Sequence, residues 1–265
     1  MVKDVIALAN YDDVQEIRDQ GLCVGCGACF VACPKNAITI CRNKEGLLVP
    51  VINNMMCTKC GLCVKVCPGH LVDFNEMNDF VFGGRSGNNL LGRCLNCYIG
   101  YAVDPQIRWV GQSGGLVTTL LIFALEKGLI NGAIVTRMSH SDPLSPEVFV
   151  AESKNEILSA SKSKYCPVPI NVAVKEVLKK EGKYAIVGLP CQIHGIRKLE
   201  MVKPKLKKKI VLHLGLFCSH TLSFSATDFL LHKARVRKVD QPIIQYTSKE
   251  WRGWPGDVLF RLRNG

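Results

Sequence analysis

Two short stretches constrain this chain more than anything else in it. GLCVGCGACFVACP places Cys23, Cys26, Cys29 and Cys33, and MMCTKCGLCVKVCP places Cys57, Cys60, Cys63 and Cys67. Both read C-x2-C-x2-C-x3-C-P. Two-residue gaps let a tight loop present three thiolates to one inorganic core, and Gly25, Gly27 and Gly61 permit the loop conformations. The fourth cysteine is expected to open a helical turn that points away, toward a neighbouring core. The spacing assigns Cys23, Cys26, Cys29 and Cys67 to one [4Fe-4S] cubane, and Cys57, Cys60, Cys63 and Cys33 to a second. Zinc ribbons use separate CxxC pairs, not two runs of four each closed by proline. Pro34 and Pro68 turn the chain after each run, and AITI after Pro34 reads as a short strand. Cys41 stands outside the pattern and is expected as a small buried apolar residue.

This region resembles the bacterial-type two-[4Fe-4S] ferredoxin domain over residues 15–75. Residues 76–93 are expected as a linker, because Gly83, Gly84, Gly87 and Asn88–Asn89 mark a loop. Beyond it the pattern becomes α/β. LVTTLLIFALEKG is apolar on nearly all sides and predicts a buried helix ended by Gly128. NGAIVTRM, KYAIVGLP and KIVLHLGLFC read as strands, the second delivering a loop at Leu189–Pro190–Cys191 and the third ending in Cys218. Strands alternating with helices predict a mixed or parallel sheet. Just before the apolar helix stands GQSGG, with Gly111, Gln112, Ser113, Gly114 and Gly115. Glycines let a ligand approach the backbone, and free N–H groups at a helix start favour an anion. No GK[ST] follows and the spacing is not GxGxxG, so a plain N-cap is the competing use of this turn.

YIGYAVDPQIRWVGQSGGLVTTLLIFALEKGLINGAIV, SKSKYCPVPINVAV, KYAIVGLPCQIHGIRK, VLHLGLFCSHTLSF and EWRGWPGDVLFRLRNG resemble, in order, segments of the coenzyme F420 hydrogenase/F420H2 dehydrogenase beta-subunit family. That resemblance runs from about residue 90 to the end. It implies an α+β chain, with the ferredoxin domain followed by an α/β flavin-binding domain in two parts, 94–175 and 176–265. It implies FAD held at GQSGG with Arg108 nearby, and Lys164 and Tyr165 as further cofactor-pocket residues. The family carries a third cubane near the flavin, and Cys191 and Cys218 match two of its ligands. Relatives continue into a CxxC pair and an acidic, strand-rich stretch. No such pair follows Cys218, and the chain stops at Asn264–Gly265, so the C-terminal part is expected to be incomplete. Cys94 and Cys97 form a CxxC elsewhere and Cys166 is spare, but neither stands at the family's place.

The implied chemistry is hydride transfer between coenzyme F420 and the flavin, with single electrons passing through the cubanes to a partner. The resemblance names that partner as another redox subunit of a hydrogenase, dehydrogenase or heterodisulfide reductase-type complex. A formate dehydrogenase-type beta subunit and a pure electron-transfer module with another donor are the alternatives. No catalytic acid or base is assigned; His194 and His220 are nearby polar residues. The formal net charge of +12, smaller once cluster thiolates are counted, suits an F420 that carries phosphate and carboxylates. The run KPKLKKK from Lys203 reads first as a solvated loop. Nucleic acid is excluded as a partner, because no basic face is interleaved with aromatics. No secretory signal is visible, and the apolar run Leu116–Leu125 is too short to span a bilayer. Cysteines spaced for metal indicate a reducing, cytoplasmic setting, with membrane contact only by docking onto a complex.

Overall fold

A computed structural model describes residues 10–84 and 92–262. Gly87 and Asn88–Asn89 of the expected linker, and Asn264–Gly265, lie outside the described residues. The cysteine-rich region comprises α1 (Val14–Asp19), α2 (Ala28–Ala32), β1 (Ile38–Arg42), β2 (Leu48–Ile52), α3 (Leu62–Lys65) and α4 (Phe74–Phe82). β1 and β2 pair antiparallel, Ile38 opposite Ile52. A local core of Val14, Ile17, Cys29, Ile38, Ile52 and Cys67 closes beneath them.

α4 occupies much of the segment expected as linker. The Asp73 carboxylate caps it by accepting from the Asn75 and Glu76 backbone N–H groups, and Gly83 ends it in the left-handed conformation. Cys41 differs as well: on β1 it is exposed, because its strand presents that position to solvent.

The second region runs α5 (Pro105–Val110), α6 (Leu116–Glu126), β3 (Gly132–Met138), β4 (Pro146–Ala151) and α7 (Lys154–Ser159). A 3-10 turn, Ile170–Ala173, leads into α8 (Val174–Lys179) and β5 (Tyr184–Gly188). Then come α9 (Pro190–Val202), α10 (Pro204–Lys209), β6 (Ile210–Gly215), α11 (Phe224–Lys233), β7 (Ile243–Ser248) and β8 (Asp257–Arg261). The main sheet has the order β4-β3-β5-β6. β3, β5 and β6 are parallel and β4 is an antiparallel edge, so the expected mixed sheet is present.

Strand alternation divides the core. Ala133, Val135 and Ala185 pack with Leu121, Ile122 and Ile157 of α6 and α7 on one face. Ile134, Tyr184 and Ile186 pack with Val174, Ile196, Leu199 and Leu206 on the other, in a cluster that also contains Cys26, Ala28, Val31 and Val66. The cysteine-rich region and the sheet thus share one core, and each fully buried Ile or Leu in it contributes about 1.5–3 kcal/mol. α6 forms and ends at Gly128 as expected, but it is not wholly buried. Leu120 (46%) and Phe123 (52%) face solvent, because only one side of the helix meets the sheet. No helix among the described residues is long and apolar enough to cross a membrane.

Candidate functional site

The eight motif cysteines fall into two sets, each around its own cavity. Cys23, Cys26, Cys29 and Cys67 line one of about 300 Å³, together with Val14, Val24, Ile40 and Pro50. Cys33, Cys57, Cys60 and Cys63 line the other, of about 390 Å³. Each set takes three cysteines from one motif and the fourth from the other motif. Among the described residues, no three His, Cys, Asp or Glu donors close on a point that would hold a single ion; the sulfurs ring a space instead.

The local cause is a repeated turn. Gly27 and Gly61 adopt φ of 82° and 68° at the starts of α2 and α3, a conformation that costs glycine little. In both motifs the helical turn lies between the third and fourth cysteines, where the Cys33 N–H donates to the Cys29 carbonyl at 3.2 Å. The fourth cysteine therefore ends the turn, where the spacing suggested it would begin one. A rise of one turn carries it past its own loop toward the other cavity.

Burial pushes the Cys26 thiol up to about 12 and the Cys29 thiol well above its ordinary value. Buried sulfurs of this kind become thiolates only against cations, and a coordinating metal deprotonates them outright. Backbone donors reach two sulfurs of the second set: Ala37 N–H stands 3.2 Å from Cys33 Sγ, and Lys59 N–H 3.4 Å from Cys57 Sγ. Four thiols around each cavity, the first walled by Val14, Val24, Ile40 and Pro50 and the second with backbone N–H groups aimed at sulfur, fit a cubane.

α9 seats the first set against the sheet. A Cβ on Gly195 would stand 3.2 Å from Cys26 Sγ and 3.0 Å from Asn171 Nδ2, so glycine is what lets the helix approach. The Asn171 N–H donates to the Cys26 carbonyl at 3.2 Å. Lys198 Nζ donates to the carbonyls of Cys67 (2.9 Å) and Leu71 (2.5 Å). Asn171, Gly195 and Lys198 carry no sequence signal, because their role depends on which helix face meets the cluster loop.

Cys191 lies in the first turn of α9, not in the expected loop, since Pro190 already starts the helix. Its charge acts on Cys26, and the Cys218 charge acts on Cys191. Cys218 follows β6 in an exposed segment. These two thiols alone do not complete a four-ligand cubane. Cys94 and Cys97 are exposed and face one another with sulfurs 3.5 Å apart. Cys166 is buried, with its thiol on the Tyr246 hydroxyl.

The GQSGG turn precedes α6 as expected, but Ser113 does not cap it. The N-cap is Gly115, at φ 76°, with no side-chain cap hydrogen bond. Chain packing also requires glycine here, since a Cβ on Gly115 would stand 2.7 Å from the Ile107 carbonyl oxygen. Lys249, which carries no sequence signal, is buried against the turn and donates from Nζ to the Gly111 carbonyl at 2.5 Å. Gln112 Nε2 donates to the Pro255 carbonyl at 2.5 Å, while its buried Oε1 has no hydrogen-bond partner. An open helix start, a buried cation and an orphaned acceptor fit a bound nucleotide with phosphates and hydroxyls.

The Arg108 guanidinium stacks 3.7 Å above the Tyr101 ring beside this turn. Lys164 belongs to a segment tied to α6 through Thr118 and Ser161, whose hydroxyl oxygens are 3.2 Å apart. Its ammonium folds back onto the carbonyls of Ala160, Ser161 and Lys162 at 2.5–2.9 Å, and burial lowers its pKa to about 7. Tyr165 is exposed and stands edge-on to Tyr246.

Comparison with known proteins places these features in context. The family model described as coenzyme F420 hydrogenase/dehydrogenase, beta subunit, matches in two parts: the N-terminal part over residues 97–175 and the C terminus over 181–264. A 4Fe-4S dicluster domain matches residues 22–71. The coenzyme F420-dependent sulfite reductase of Methanocaldococcus jannaschii is 29% identical over 249 residues, covering 86% of this chain and 36% of that protein. The coenzyme F420 hydrogenase subunit beta of Methanosarcina barkeri is 30% identical over 141 residues, covering 51% and 48%. An F(420)H(2) dehydrogenase subunit from Methanosarcina mazei is 27% identical over 206 residues, covering 77% and 55%. The chain spans between 36% and 55% of the length of these relatives. With both parts of one family matched across more than half of its length, behind a dicluster domain, the chain belongs to the coenzyme F420 hydrogenase/dehydrogenase beta-subunit family.

Proposed function

We propose that this chain is an iron–sulfur flavoprotein oxidoreductase subunit, passing electrons between coenzyme F420 and iron–sulfur clusters by way of FAD. The observation that carries the reading is the pair of interleaved four-cysteine cavities, the first of them set against α9 in the core of the sheet, whose other face packs on α6, the helix that the GQSGG turn opens. In this reading residues 15–75 hold the clusters, and 94–175 with 176–265 form the flavin unit, working in the cytoplasm.

When bound, FAD exchanges a hydride with F420 and the cubanes take up electrons singly. The chain's own residues orient and insulate. The start of α6, with Ser113, Gly114 and Gly115, would hold the nucleotide phosphates, with Arg108 and Lys249 as positive charge nearby. Gln112 Oε1, which has no partner, would take a cofactor donor. Lys164 and Tyr165 border the pocket. Val14, Ile40 and Pro50 keep water from the first cluster, and Gly195 brings α9 against it. Cys191 and Cys218 offer two thiols to a third cluster. Relatives named as F420 hydrogenase, F420H2 dehydrogenase and F420-dependent sulfite reductase support the choice of F420 and of further redox subunits as partners.

Anaerobic purification and reconstitution, followed by iron, sulfide and flavin quantitation, tests the reading. It predicts about eight irons per chain from the two motif clusters, and about twelve where a third assembles at Cys191 and Cys218, together with tightly bound FAD. Eight irons without flavin would make the chain an iron–sulfur carrier instead.

A further inference from the structure

The two cysteine cavities differ in what surrounds them. Of the first set, Cys26, Cys29 and Cys67 are buried, with Gly195 of α9 against Cys26 and Lys198 of α9 on the Cys67 carbonyl. Of the second, Cys60 is exposed and Cys33, Cys57 and Cys63 are half-buried. Beside them Met55, just ahead of Cys57, stands almost free in solvent at 94% exposure. The second set of cysteines is the more exposed of the two.

Its rim is basic. Lys35 and Lys59 line the cavity itself and both are exposed. Lys175 reaches it from α8: its Nζ donates to Asn36 Oδ1 at 2.8 Å and sits 3.6 Å from the Phe30 ring centre. Lys179 stands one helical turn beyond Lys175 on α8, and Lys203 caps α10, which packs against α8, so these lysines gather on the same side of the molecule. Against the five cations stand three carboxylates: Asp12 and Asp13 at the cavity and Glu16, whose Oε2 accepts from the Asp12 N–H at 2.8 Å. Glu176, on the same helix as Lys175, pairs with Lys180. The motif supplies the cysteines, but α8 and the start of α10, far along the chain, supply much of the positive rim.

We propose that this lysine-ringed face over Cys33, Cys57, Cys60 and Cys63 is the docking surface for an acidic one-electron carrier protein, and that electrons cross there. The inference rests on the iron–sulfur reading above and adds the port and the partner's chemistry. One electron leaves the reduced second cluster and one enters the oxidised carrier; no proton or bond moves. Charge complementarity of this kind raises the encounter rate and is screened by salt. The first cluster, whose cysteines are the more buried set, is the inner relay.

The test uses the reconstituted holoprotein, reduced with dithionite, desalted and mixed in a stopped-flow cell with an acidic plant-type [2Fe-2S] ferredoxin. A separate series uses the cationic mitochondrial cytochrome c. The rate with the acidic protein is expected to fall about tenfold or more from low to high salt. The Lys35→Glu/Lys179→Glu double variant is expected to lose about tenfold at low salt, with iron content and the reduced-cluster EPR spectrum unchanged. Lys127→Glu, on α6, is expected to match the parent. Transfer that ignores salt, a double variant as fast as the parent, or faster transfer to cytochrome c that salt suppresses would each overturn the docking surface. A protein that binds no cubane iron and sulfide fails before mixing and removes the iron–sulfur reading with it.

Discussion

Cys67 belongs by sequence to the second motif and by position to the first cavity, where it meets Cys23, Cys26 and Cys29. That crossing was legible in the sequence, because the C-x3-C gap spans one helical turn and little else can happen over so few residues. Cys67→Ser is expected to halve the reconstituted iron and to remove the same EPR signal that Cys23→Ser removes. Loss of the signal that Cys57→Ser removes would refute the interleaving. Lys164 gives a second prediction at this scale. Burial holds its pKa near 7 although three carbonyls accept its protons. The unfolded chain keeps that proton up to about 10.4. Above pH 7 the unfolded state therefore binds more protons, and stability rises with pH until the buried thiols, Cys26, Cys29 and Cys166 among them, begin to oppose it as the unfolded cysteines ionise near about 8.5. Thermal unfolding of the apoprotein should show Tm climbing between about pH 7 and 8, with a flatter profile over that interval in Lys164→Met. Nothing in SKSKYC announces this, since burial of a lysine head is settled by the segments that close over it.

Among elements, the strands were the easiest to read. The β-branched runs in NGAIVTRM and KYAIVGLP have one stable outcome between helices, and both form parallel neighbours. The helices divided. α4 was hidden because its segment runs into a glycine-rich stretch, although Asp73 and Gly83 bound it as ordinary cap residues. α6 was recognised but expected to be buried all round, because composition counts apolar residues without knowing how many faces the sheet offers. α5 ties an element to the proposed function. Asp104 caps it, accepting from the Gln106 N–H at 2.8 Å and the Ile107 N–H at 3.1 Å, and Ile107 in turn backs Gly115. Asp104→Ala should cost about 1 kcal/mol of stability and weaken FAD binding, measured by denaturant unfolding and flavin titration; unchanged flavin affinity would detach α5 from the nucleotide site. α9 makes the matching link to the clusters. Gly195→Ala forces a methyl against Cys26, Ala28 and Asn171 and should cost about 1–3 kcal/mol.

Over the whole molecule, one set of cluster cysteines is more deeply buried than the other. The shared core of Cys26, Ala28 and Val31 with Ile186 and Ile196 fixes the first cluster to the sheet, while the second sits at the rim. That asymmetry was not legible, because identical motifs give no sign of which one the rest of the chain will cover. It predicts the order of loss. Under an iron chelator, the second cluster's EPR signal should decay first and about half the iron should leave in that phase; simultaneous loss would mean the two sites are equally exposed. The central claim is that the two halves work as one electron path. Its most direct test is anaerobic stopped-flow mixing of the FAD-loaded, cluster-reconstituted protein with reduced F420, followed at flavin and cluster absorption. Flavin bleaching followed by cluster bleaching is the predicted result. Flavin and clusters that both stay oxidised would contradict the account and leave a carrier for some other donor.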